Sequence, residues 1–418
     1  MPKLDPFRGP APKSLLGIHR VLSPSASVRV SPLILGTTNF GTKWTSYMGE
    51  CSKDTAFEIL DLYYTQGGNF IDTANFYQDG ETQEWLGEWM EGRGNRNEIV
   101  LASKFSANHI LAHATENTIL SNYGGNNSKA LMLTVENSLK SLRTTYLDVL
   151  YVHWWDFVTS PAELMRSLNR LVEAGTVLYL GASNMPAWFV VKCNAYARQF
   201  GMAPFIIYTG RWSAAERDVE REILAMCEAE QMAIAPYEVL GGGRFKTPEQ
   251  IKQQKDQRTE LHPDGVAKFL KVGAVLARIG EKKATLPTSI AMAYVMQKQA
   301  YVFPLIGGRK IDHLMANIEA LSIVLDDEDI RAIEAATDWA PGFPYDVLTI
   351  GGPFNGVEDL ALLTGTYDYV RRPEAIRPTR LQDPEVQLGR VGVATLLSDM
   401  LFPPGSTSET HPSSSAAA

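Results

Sequence analysis

The sequence predicts a (β/α)8 barrel, and three observations lead there. Short apolar runs alternate with amphipathic stretches about eight times along the 418 residues, the signature of a parallel sheet with helical crossovers. The first strand–helix junction, Asn39-Phe40-Gly41-Thr42, lacks the G-x-G-x-x-G run of an open dinucleotide-binding sheet. Polar residues also recur at the C-terminal ends of successive strands, where a closed barrel builds its site.

The first 26 residues are rich in Pro and Ser without periodicity and read as a loose N-terminal arm. Eight strands are then expected, at Leu33–Thr38, Asn69–Ala74, Glu98–Phe105, Leu147–Trp154, Val177–Ser183, Phe205–Thr209, Met232–Tyr237 and Val302–Gly307. Between them, Lys53–Gln66, Lys129–Leu142, Ala162–Ala174, Asp218–Glu230 and Pro287–Gln299 carry apolar residues at helical spacing. Ser52, Ser160 before Pro161, Asn184 ahead of Pro186, and Thr285 ahead of Pro287 offer helix starts. Segments 106–127 and 241–264 exceed ordinary βα loops and follow strand ends, so they are expected to shape the site. The barrel is expected over 27–340 and a C-terminal extension packing on it over 341–402. Partial order should reach about residue 380 or beyond, where Leu360–Tyr369 and Val391–Leu401 supply apolar groups, and 403–418 should be a disordered tail.

Composition narrows the function. With 45% hydrophobic and 21% charged residues the chain is an ordinary globular sequence. A net charge of −8 without a basic run argues against a nucleic-acid partner. No apolar run is long enough to span a membrane, and the N-terminus has no signal-peptide core. Cys51, Cys193 and Cys227 show no metal or redox spacing and suit free thiols in a reducing compartment, so a cytoplasmic protein is expected.

The strand ends suggest chemistry. Asp72 closes the second strand, with Tyr77 in the loop beyond; Lys104 stands near the end of the third, His153 at the end of the fourth, and Ser183-Asn184 at the fifth. A phenol is a weak acid, with a reference pKa of about 10, and a neighbouring ammonium held by a carboxylate favours release of its proton. The phenol can then protonate a carbonyl oxygen that an imidazole orients. Such a set lacks a hydride source and needs a nicotinamide. Singly, each residue has a plainer reading: Asp72 as a cap, Lys104 as half of a buried ion pair, His153 as core. His109 and His113 are four residues apart but lack the acidic partner of a zinc motif.

From about residue 28 to 337 the sequence resembles the aldo-keto reductases. Leu35-Gly36-Thr37-Thr38-Asn39-Phe40-Gly41 resembles their opening strand, and Asp72-Thr73-Ala74-Asn75-Phe76-Tyr77 their aspartate–tyrosine motif. The resemblance implies Tyr77 as proton donor, Lys104 and Asp72 as its tuning pair and His153 as carbonyl orienter. It implies a cofactor held by Thr37, Thr38, Ser183, Asn184, Thr209 and Tyr237, by Leu240, Gly241, Gly243 and Arg244, and by Gly307, Arg309, Lys310, His313 and Asn317. Arg309 and Lys310 opening a helix suit a 2′-phosphate, hence NADP(H).

Within that family the likeness is to fungal aryl-alcohol dehydrogenases and norsolorinic acid reductases, through His153-Trp154-Trp155-Asp156, Gly210-Arg211-Trp212-Ser213 and Gly241-Gly242-Gly243. It implies an aromatic aldehyde or polyketide-type ketone, and the aromatic residues Trp44, Tyr47, Phe76, Trp154 and Trp212 would suit such a planar substrate by stacking. Three positions depart from the family pattern. Thr209 replaces a usual Gln, Glu238 a usual small residue, and Ala316 a usual polar one, so cofactor affinity could fall by roughly 1–3 kcal/mol. A nucleotide-binding barrel without turnover, or an acid–base enzyme without redox chemistry, remain alternatives on the same residues.

Overall fold

The computed structural model describes residues 11–245, 263–348 and 373–382. Eight parallel strands run in the order β10-β3-β4-β5-β6-β7-β8-β9, taking β1 (Arg20–Ser23) and β2 (Ala26–Val30) as a preceding antiparallel hairpin. The barrel strands are β3 (Ile34–Gly36), β4 (Phe70–Asp72), β5 (Val100–Phe105), β6 (Leu147–Val152), β7 (Val177–Ser183), β8 (Phe205–Arg211), β9 (Ala233–Tyr237) and β10 (Leu305–Ile306). The sheet closes where Phe303 N–H donates to Ile234 O (2.9 Å) and Ile34 N–H to Pro304 O (2.9 Å). The fold is a (β/α)8 barrel.

Strand alternation decides which residues meet inside. Phe70, Val100, Ala102, Val149, Tyr151, Ile207, Ala233 and Ala235 form one buried cluster in the barrel interior. The intervening Ile71, Leu101, Leu150, Val152, Leu180 and Ile234 pack into a second cluster beneath the helices. With side chains alternating between faces, each inward series continues to a polar residue at its top. Phe70 leads to Asp72, Ala102 to Lys104, Tyr151 to His153, Ile207 to Thr209 and Arg211, and Ala235 to Tyr237. Gly181 in β7 leaves room for Tyr151, since a Cβ there would stand 2.4 Å from that ring.

The arm expected to be loose is ordered over much of its described length. Ser14 caps a short 3-10 turn, and the hairpin sets Leu22, Ala26 and Val30 against the interior cluster at the strand starts. Ser25 Oγ donates to Gln231 O (2.8 Å) and Asn69 Nδ2 to Arg29 O (3.0 Å). Apolar residues hidden in a Pro/Ser-rich stretch thus cover the end of the barrel opposite the polar strand tops.

The helices follow the apolar spacing: α2 (Lys53–Thr65), α4 (Ser128–Ser141), α5 (Pro161–Glu173) and α6 (Ala187–Gln199), with the short α1 (Thr45–Met48) ahead of α2 and α3 (Glu81–Arg93) after it. Ser52 and Ser160 cap as expected, accepting from Thr55 N–H and Glu163 N–H. Asn184 does not cap α6; the N-cap is Pro186. Thr285 likewise is not a cap, because Leu286 holds that position.

The helix expected over Asp218–Glu230 is broken into a 3-10 turn at Asp218–Glu220 and α7 (Ile223–Ala229). Glu220 turns inward to accept from Arg217 Nη2 (2.8 Å) and Trp212 Nε1 (3.0 Å), which bends the chain away from helical continuation. After α8 (Pro263–Lys283) and α9 (Pro287–Lys298) come α10 (Ile311–Glu319), α11 (Asp327–Glu334) and α12 (Tyr345–Leu348). Leu360–Tyr369, Val391–Leu401 and 403–418 lie outside the described residues.

Candidate active site

The polar strand tops open into one cavity of about 410 Å³, lined by Tyr77, Lys104, His153, Ser183, Asn184, Thr209 and Tyr237 among others. At its floor Asp72 and Lys104 are 1% and 3% exposed and form an ion pair. Lys104 Nζ also donates to Thr73 O (2.8 Å) and reaches Tyr77 OH at 3.4 Å. Burial alone would drive the ammonium to lose its proton, but attraction to Asp72 and Tyr77 outweighs it and raises the Lys104 pKa. The charge therefore persists next to the phenol. Thr37 braces the pair from behind, its N–H and hydroxyl both donating to Asp72 O (3.1 and 2.9 Å).

His153 is buried and its pKa lies well below the ordinary histidine value, first through burial and then through repulsion from Lys104. A neutral imidazole has one donor and one acceptor nitrogen. Its Nδ1 is buried and has no hydrogen-bond partner. Phe76 lies 5.6 Å and Trp154 4.6 Å from the imidazole between ring centroids, and Trp44 lies 5.6 Å from Phe76. Together they form an aromatic wall beside Tyr77.

Tyr77 sits on a short turn in which Gln78 and Asp79 both have positive φ (51° and 57°). The fully buried Gln78 holds this turn to the loop after β3, accepting from Trp44 N–H (2.7 Å) and donating to Thr38 O (3.0 Å). Asp79 takes the Trp44 indole N–H at 3.0 Å. Sequence reasoning missed Gln78; a buried amide among loop residues leaves no periodic trace.

On the opposite side, Asn184 adopts φ 50°, a conformation asparagine tolerates. Its Nδ2 donates to His153 O (3.2 Å) and Ser183 Oγ (2.9 Å), and its Oδ1 accepts from Tyr237 OH (2.9 Å). Burial keeps the Tyr237 phenol protonated by pushing its pKa up. The Thr209 hydroxyl donates to Ala235 O (2.7 Å), so it offers the cavity an acceptor rather than a donor. Glu238 is met by Arg244 at 3.0 Å, which removes the repulsion a lone carboxylate would present to a phosphate. Arg244 also lies 3.8 Å over the Phe269 ring.

Other expected residues divide. Thr38 and Gly307 line the cavity with the core set. Gly241 and Gly243 belong to a tight turn with positive φ throughout, in which Gly241 is buried against Phe245 and Gly242 lines the cavity. Leu240 packs on the core. Arg309 and Lys310 are exposed ahead of α10, and the Arg309 guanidinium crosses Gly49 (φ 74°), where a Cβ would stand 1.6 Å from Nη1. His313 is exposed on α10, while Asn317 is buried.

Two placements correct the sequence reading. Thr37 is fully buried, with its hydroxyl spent on Asp72 O, so it supports the site without facing it. Trp212 is 0% exposed with its N–H on Glu220, a core residue and not a substrate wall. The Tyr47 side chain lies outside the described residues. Met48, Asn39 and Arg211 line the cavity and were not among the residues singled out. Arg211 was legible in principle, two places beyond Thr209 on the same strand face. No group of three potential metal ligands exists among the described residues, and none of their helices could cross a membrane.

A buried carboxylate–ammonium pair beneath a phenol, beside a neutral imidazole and across from an amide–phenol clasp, is equipped to protonate a carbonyl oxygen. The aldo/keto reductase family profile matches residues 32–338, and the chain belongs to that family, as an oxidoreductase of carbonyl and alcohol groups. It is 50% identical to an aryl-alcohol dehydrogenase of Pestalotiopsis microspora across 88% of this chain and 95% of that one. It is 52% identical to norsolorinic acid reductase A of Aspergillus parasiticus, covering 81% and 86%. An aryl-alcohol dehydrogenase [NADP(+)] of Phanerodontia chrysosporium is 43% identical over 89% and 98%.

Proposed function

We propose that the protein reduces an aromatic aldehyde or polyketide-type ketone to its alcohol, or runs the reverse reaction, with NADP(H) as cofactor and Tyr77 as proton donor. The observation that carries this is the contact of Tyr77 with Lys104 above Asp72, inside the cavity that His153 also lines. A bound nicotinamide supplies hydride from its C4. Ser183 and Asn184 would hold its carboxamide and Tyr237 its ring, while the glycine turn at 241–243 would suit a pyrophosphate. Arg309 and Lys310 favour the 2′-phosphate, and the NADP(+) in the name of the Phanerodontia chrysosporium relative points the same way.

With the nicotinamide bound, Tyr77 would give its phenolic proton to the substrate's carbonyl oxygen as negative charge develops there. Lys104 stabilises the phenolate left behind, and Asp72 keeps Lys104 charged. His153, neutral, orients the same oxygen. The aromatic wall of Trp44, Phe76 and Trp154 suits a planar substrate, and a cytoplasmic location fits its free cysteines.

Titration of the purified protein with NADPH and NADH, followed by tryptophan fluorescence, tests the reading. The expected result is micromolar NADPH binding well above NADH in affinity, with NADPH consumed on adding aromatic aldehydes. Failure to bind either nucleotide would overturn it.

A further inference from the structure

We propose that Arg211 recognises an anionic oxygen on the substrate, so that the preferred substrate is an aromatic carbonyl compound bearing a carboxylate or ionised phenol. The inference rests on the reductase reading and specifies its substrate.

Arg211 is the last residue of β8 and lies on the inward face, above Ile207 and Thr209. Two residues of strand raise its backbone about 6.6 Å above Thr209, towards the mouth. The charges lining the cavity are Lys104, Arg211, Glu238 and Arg244. Lys104 is neutralised by Asp72, and Arg244 pairs with Glu238. Nearby arginines are also committed, Arg217 to Glu220 and Arg221 to Asp218. Among the described residues the Arg211 guanidinium has neither an ion pair nor a hydrogen bond. It is exposed, so water solvates it until a ligand covers the mouth.

A guanidinium presents a planar fork that fits a carboxylate through two parallel hydrogen bonds. Arg211 lines the same cavity as Tyr77 and His153, so an aromatic carbonyl compound whose oxygen reaches Tyr77 would occupy the space that the guanidinium also faces. The phosphates of the cofactor have their own provision in the 241–243 turn and in Arg309 and Lys310. The uncommitted charge at the mouth is therefore available to the substrate.

The test compares 4-carboxybenzaldehyde with its uncharged methyl ester, using wild type, Arg211→Gln and Arg211→Lys. Wild type should favour the acid. Arg211→Gln should raise KM for the acid about tenfold and for the ester by no more than about threefold, with the NADPH dissociation constant within about twofold. Arg211→Lys should retain part of the preference, because the charge survives without the fork. Equal losses on acid and ester, no preference in wild type, or weakened NADPH binding would each overturn the inference, the last by assigning Arg211 to the cofactor. Benzoate binding to the NADPH complex, read by tryptophan fluorescence, examines the same contact without turnover. It should weaken about tenfold in Arg211→Gln, and unchanged binding would refute the inference even with the reductase reading intact. Absence of carbonyl reduction with both compounds would instead refute the reductase reading.

Discussion

Replacing Lys104 by Met should expose the energetic role of the buried pair. Lys104 Nζ serves Asp72, Thr73 O and Tyr77 OH, and a thioether replaces none of these bonds. Asp72 Oδ2 already lacks a partner, so the carboxylate would be left wholly uncompensated in the barrel. Breaking a buried pair from one side costs about 3–5 kcal/mol. Asp72→Asn should cost a similar amount by stranding the ammonium. The double variant removes both charges and should lose only the neutral hydrogen bonds, about 1–3 kcal/mol. Equilibrium urea unfolding of all four proteins would measure the coupling. Additivity of the two single losses within about 0.5 kcal/mol would refute the reasoning.

The pH dependence has a definite sign. Burial raises the Asp72 pKa, and Lys104 alone pulls it down. In Lys104→Met only the upward push remains, so the folded-state pKa stands above the unfolded value of about 3.9. Such a group favours folding below its unfolded pKa and penalises it as pH rises through the folded value. The loss in Lys104→Met should be smallest at or below about pH 4 and grow as pH rises through the folded-state pKa, towards the full cost of the stranded charge.

Three further outcomes follow from the same geometry. Tyr77→Phe should lower kcat by about 10²–10⁴-fold in steady-state reduction, yet leave NADPH binding within about twofold, because the ring contacts persist. The His153 ring signals in an NMR titration should stay in the neutral form between about pH 6 and 8, since burial and Lys104 both oppose protonation; a midpoint in that window would contradict the electrostatics. Trp212→Ala should cost about 3–5 kcal/mol of stability by urea unfolding, a core effect.

The sequence by itself determined the barrel, because alternation of strand and helix is written in short-range periodicity. It also placed Asp72, Lys104 and His153 at strand tops, since a period of two carries the inward face from Phe70, Ala102 and Tyr151 to those residues. Only the tertiary structure decided what those side chains meet. Thr37 and Trp212 carry the right chemistry for a site, but the packing of Asp72 O and Glu220 claims their polar groups. The hairpin at 20–30 was hidden because its apolar residues are few and make sense only against the barrel floor they cover. Gln78 and Arg211 show the same limit from the other side. One is a buried bridge and the other an uncommitted charge, and both depend on neighbours distant in the chain. Local pattern specifies elements and facing, whereas the pairing of polar groups depends on contacts that form only when the strands close.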